Sequence, residues 1–91
     1  MPTSDTPFNE KLEYLHRLRD ELGLQIHLGA EDIREEWEHA EVRWARLQGE
    51  VKRLAEASKR PSKKLKSAAV ALAHEVGISY TRIQSALQRP A

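Results

Sequence analysis

The chain has no cysteine among its 91 residues, which removes disulfide staples and thiolate metal sites together and leaves the redox compartment unread. No apolar run approaches the roughly 20 residues that a membrane-spanning helix requires. Residues 1–6 lack a basic stretch followed by an apolar one, so no secretory signal is expected and the cytoplasm is the expected location. The familiar catalytic signatures are missing as well. None of the serines sits in a GxSxG context, there is no glycine-rich phosphate loop, and no HExxH pair occurs. Glycine and proline number only four each. What remains is rich in Ala, Leu, Glu, Lys and Arg, the composition of long helices and coiled coils.

A chain of this length makes one small domain with a limited core. Its net charge of +1 conceals a division. Residues 1–41 carry eleven acidic and four basic side chains, a balance of −7, whereas residues 42–91 carry eleven basic and three acidic, a balance of +8. So dipolar a chain favours an arrangement in which the two halves lie against each other, within one molecule or between two.

The apolar spacing carries the fold prediction. Leu15, Leu18, Leu22, Ile26, Gly29, Ile33, Trp37, Ala40 and Trp44 recur in steps of three, four and four, an eleven-residue period. Heptad spacing follows through Leu47, Val51 and Leu54, and the eleven-residue period returns from Leu65 through Val76 to Leu87. Eleven residues in three turns is about 3.67 per turn, close to a straight helix, so each stripe stays on one face with little supercoiling.

Helix signals agree with this division. Thr6 suits a cap and Pro7 a first helical position, while Pro61 stops the first helix and Pro90 the second. The expected organisation is a disordered N-terminus (1–6), a single helical domain (7–88) and a short tail (89–91). Within the domain, a helix over 7–58 leads through a basic hinge (59–62) to a shorter antiparallel helix over 62–88. That is an all-α helical hairpin.

One segment opposes continuity. Leu24, Ile26 and Leu28 alternate with polar residues between Gly23 and Gly29, and a glycine inside a helix costs about 1 kcal/mol relative to Ala. The helical register nevertheless passes through without a phase change, so the reading is one helix kinked over 23–29. The alternative is a three-helix bundle with a turn near Gly29. It has the merit of hiding the half of a ~75 Å helix that a partner of only ~40 Å would leave bare.

Candidate functional residues are few. Trp37, Trp44, Leu47, Val51 and Leu54 form the candidate interface, since Trp is enriched where helical partners meet. Lys59, Arg60, Lys63, Lys64 and Lys66 place five cations in eight residues and are the candidate contacts for nucleic acid or another anion. No aromatic residue stands among them to stack on bases, so the bland reading is a solvated turn balancing the acidic half. Glu35 and His39 have the spacing of two metal ligands, but two make a weak site, and neither a metal nor a cofactor is expected. Eleven-residue amphipathic repeats are similar to those of exchangeable apolipoproteins, which implies lipid-surface binding. Against that, the long helix is rich in Glu, and Ala68, Ala69, Ala71 and Ala73 suit helix packing better than lipid, so a membrane partner is not expected.

The opening FNEKLEYLHRLRDEL, the middle EEWEHAEVRWARL and the Ala-rich final helix together resemble small helical-hairpin and coiled-coil proteins of bacteria. That resemblance implies a fold and no activity. The expected function is a non-catalytic protein-interaction or scaffolding module that pairs with another copy of itself as a homodimer. Nucleic-acid binding through the basic hinge is the alternative, and lipid-surface binding a second one.

Overall fold

A computed structural model describes residues 6–57 and 63–88. The expected N-terminal segment, the basic hinge with Lys59 and Arg60, and the tail lie outside the described residues. Those described are all-α: α1 spans Thr6–Gln25, α2 spans Glu31–Glu56 and α3 spans Lys63–Gln88, with a 3-10 turn at Ile26–Leu28 between the first two.

Where one kinked helix is expected over 23–29, α1 ends at Gln25 and the next α-helix begins at Glu31. The 3-10 turn closes with the Gly29 amide donating to the Ile26 carbonyl at 3.0 Å. Gly29 (φ −84°, ψ 160°) and Ala30 (φ −69°, ψ 169°) are then extended, which ends helical propagation. No positive φ is involved, so glycine is not required for conformation. Space is tight instead: a Cβ at Gly29 would lie 3.0 Å from Ile33 Cγ2 and 3.3 Å from the Ile26 carbonyl oxygen, so its neighbours would have to give by a few tenths of an ångström.

Helix α2 then restarts from Ala30, whose carbonyl accepts from the Ile33 and Arg34 amides at 3.0 and 3.1 Å. The Ile33 amide also donates to Asp32 Oδ1 at 2.9 Å. Glu31 and Asp32 place negative charge in the first turn, where the exposed amides and helix dipole favour it.

Helix α3 packs along α2 most extensively and along α1 to a lesser degree. The core is drawn from all three: Leu15, Leu18 and Leu22 from α1, Ala40, Trp44 and Leu47 from α2, and Ala73, Val76, Tyr80 and Ile83 from α3. The members from α1 and α2, with Val76 of α3, are residues of the apolar stripes read from the sequence. Small residues on α3 (Ala69 and Ala73, both fully buried) let the helices approach closely.

Polar contacts then set the relative rotation of the helices. Arg19 of α1 donates from Nε and Nη2 to the two carboxylate oxygens of Glu41 of α2, each at 2.8 Å. Its guanidinium carbon also lies 5.5 Å from the centroid of the Trp44 ring, which His16 meets edge-on at 5.8 Å. Arg43 Nη1 donates to the buried Ser79 Oγ at 2.9 Å, tying α2 to α3, and lies 3.8 Å from Glu36. Trp37 stacks on Tyr80 with centroids 6.1 Å apart, and its far edge packs close to Gly23.

Candidate functional site

Of the five candidate interface residues, Trp44 and Leu47 are buried in the core, and Trp37 and Val51 are half-buried against it. Leu54 is half-buried near the end of α2. Leu15, Leu18 and Leu22 of α1 belong to the same core as Trp44 and Leu47 of α2. Of the five candidate cations, Lys63, Lys64 and Lys66 open α3, with Lys63 and Lys64 exposed and Lys66 half-buried. Lys59 and Arg60 lie outside the described residues.

A different surface draws attention. Two open depressions lie along the solvent side of α3 and share His74 in their walls. One, of about 580 Å³, is lined by Lys63, Lys66, Ser67, Val70, Ala71 and His74. The other, of about 370 Å³, lies between α1 and α3; Lys11 and Tyr14 border it on one side and Gly77, Ile78 and Arg82 on the other.

This furrow follows from spacing. On α3, positions 63, 66, 67, 70, 71, 74, 77, 78, 81 and 82 recur at helical steps on a face that flanks the core stripe. Ser67, Ala71 and Gly77 are small and form its low floor. At Gly77 an added Cβ would meet Leu15 Cδ2 at 3.7 Å, ordinary contact distance, so the absent side chain leaves a shallow gap over α1. Thr81, at the furrow's end, satisfies its hydroxyl within the helix by donating to the Gly77 carbonyl at 2.9 Å.

Three large apolar side chains stand exposed in this furrow: Tyr14 at 52%, Val70 at 45% and Ile78 at 40%. Lys11, Lys63, Lys66 and Arg82 supply cations along its edges, and no carboxylate is among the described lining residues of either depression. The furrow therefore combines apolar surface with a positive rim. A smaller depression of about 180 Å³ sits where Asp32, Ile33 and Glu36 of α2 meet Arg82, Ile83 and Ala86 of α3.

Sequence reasoning missed this surface because its apolar members fall between the positions of the stronger core stripe. The signal was present in the steps from Val70 to Ala71, His74 and Ile78, but a second, weaker stripe on the same helix reads as scatter until the first has been assigned to the core.

Among the described residues, no group of three or more His, Asp or Glu gathers to hold a metal ion, and no helix is long and apolar enough to cross a membrane. Compared with protein-family models, curated proteins and solved structures, the chain finds no match.

Proposed function

We propose that the chain is a non-catalytic protein-interaction module whose furrow along α3 takes an acidic, amphipathic helix of another polypeptide. We read the architecture that carries it as a three-helix bundle turning at Gly29, which is supported by α1 delivering three leucines to the core shared with α2 and α3.

The observation that carries the reading is the furrow itself, with Tyr14, Val70 and Ile78 exposed between four cations and no carboxylate in its described lining. From Lys63 to Arg82 it runs about 28 Å at 1.5 Å per residue, the length of a helix of about 20 residues. A floor of small residues suits a helix laid alongside at the usual interaxial distance of about 8–10 Å. The positive rim selects an acidic partner and speeds its encounter, while the apolar floor supplies contact area that a bare phosphate backbone would not use. Tyr14 and His74 are the aromatic rings among the described lining residues, which is little for stacking successive nucleic-acid bases.

Fluorescence anisotropy tests the reading. The probe is a labelled helical peptide of about 20 residues with Leu on one face and Glu on the other, matched by a version with Lys for Glu. The acidic peptide is expected to bind, more weakly as salt screens the rim, and to lose binding in the Val70→Glu and Ile78→Glu variants. Equal binding of both peptides would overturn it. So would binding of a DNA or RNA oligomer, rather than the peptide, with the furrow variants without effect.

A further inference from the structure

The furrow asks for an acidic surface with protruding apolar side chains, and the same chain carries one on another face. Leu24 and Leu28, at the elbow between α1 and α2, are 77% and 74% exposed, more than any other large apolar residue among those described. Glu31, Glu35, Glu38 and Val42 follow at steps of four, three and four, which places them on one face of α2, and all four are exposed. That face is turned away from Ile33, Trp37, Ala40 and Trp44, which pack into the core. Asp32 adds a further exposed carboxylate, Arg34 flanks the face as a cation, and exposed Arg46, one turn beyond Val42, bounds its acidic stretch.

We propose that the furrow's occupant is the acidic outer face of α2, with its leucine elbow, from a second copy of this chain. The proposal rests on the furrow being a protein-docking site, and adds the identity of what docks there. Charge decides the geometry. Furrow against furrow would bring Lys11, Lys63, Lys66 and Arg82 against their own kind, and acidic face against acidic face would oppose Glu31, Glu35 and Glu38. Only the contact of one face with the other sets opposite signs together.

Helix α2 lines neither of the two depressions that make the furrow, so a copy whose furrow is filled still offers its own acidic face to a third. The contact is therefore heterologous, and assembly runs head to tail into a ring or an open chain. A single helix laid in a shallow furrow is a small interface, of the size class below about 1,200 Å² in total, so association is weak and concentration-dependent.

Sedimentation velocity tests this on the full chain between about 10 µM and 1 mM, a range spanning affinities of roughly −7 to −4 kcal/mol. The wild-type mass is expected to climb with concentration and to fall back to monomer at high salt. Val70→Glu with Ile78→Glu should abolish association through the furrow. Glu35→Lys with Glu38→Lys should abolish it through the acidic face. All four positions are solvent-facing, and circular dichroism verifies that each variant is folded.

The decisive measurement mixes the two variants. One retains an intact acidic face and the other an intact furrow, so the mixture should form a one-to-one heterodimer and grow no further. A wild-type chain that stays monomeric throughout, variants that still associate, or a mixture that stays monomeric would each overturn the proposal. The acidic peptide probe separates the two readings. A monomeric chain that still binds the peptide in its furrow loses only the second-copy assignment, whereas one that does neither loses the docking site too.

Discussion

Replacing Tyr80 with Phe should stabilise this protein, and the gain should widen as pH rises. Tyr80 is fully buried, and its hydroxyl has no hydrogen-bond partner among the described residues. Leaving a buried hydroxyl unpaired costs about 1–3 kcal/mol, while the ring's contact with Trp37 survives the substitution. Losing one oxygen leaves a small void that takes back part of the gain, so the net expectation is about 1 kcal/mol near neutral pH. Burial also pushes the phenol's ionisation well above its ordinary range; nearby Glu41 adds to this and Arg19 partly offsets it. The unfolded chain's phenol ionises near pH ~10, and the folded one stays neutral well beyond that. Tyr80's contribution to stability is therefore fully present below pH ~10 and declines above it, by up to about 1.4 kcal/mol per pH unit. A phenylalanine at this position does not titrate, so the gap between variant and wild type should grow by that amount. Urea melts followed by circular dichroism between about pH 7 and pH 11.5 measure the gap directly. A variant less stable than wild type by more than about 1 kcal/mol would mean that the hydroxyl is hydrogen-bonded after all. A gap that stays constant through pH ~11 would refute the burial argument.

Three further substitutions probe the core and its borders. Gly49 is exposed in the middle of α2, with nothing within 4 Å of an added Cβ. Gly49→Ala should thus stabilise by about 1 kcal/mol, raising Tm by about 4–8 °C in a thermal melt. Leu47 is fully buried, and Leu47→Ala should cost about 2–5 kcal/mol, read from the urea midpoint; a loss under about 1 kcal/mol would mean this site is not core. The Arg19–Glu41 pair is about one-third exposed at both ends, so Glu41→Gln should cost about 1 kcal/mol or less and lose most of its effect in high salt.

The sequence made the helices legible because each must bury a stripe of its own, and the stripes were strong. Leu15, Leu18 and Leu22 on one helix, Trp37, Ala40 and Trp44 on the next, and Val76 on the last all pack into or against the core, as the spacing puts them. What periodicity does not report is continuity. Between Gln25 and Glu31 the chain spends three residues on a 3-10 turn and two in extended backbone. By coincidence of length, the stripe resumes in phase on the far side. An unbroken register was the reason for expecting one kinked helix, and the elbow satisfies that register equally well.

The division of charge along the chain leads to a similar distinction between what the fold consumes and what it leaves over. Opposite halves were expected to lie against each other. Among the described residues Arg19 pairs with Glu41 across α1 and α2, while Arg43 with Glu36 and Arg53 with Glu50 are pairs within α2. Glu31, Glu35 and Glu38 meanwhile stand in solvent on the outer face of α2, and Lys63 is exposed at the mouth of the furrow on α3. Exposed charges so placed add little to the stability of a monomer, because water and salt screen them. They do govern which surfaces of two molecules approach one another, and at what rate. On the proposed self-association, acidic charge on one helix face and basic charge around an apolar furrow on another are complementary between molecules, where association rather than folding would use them.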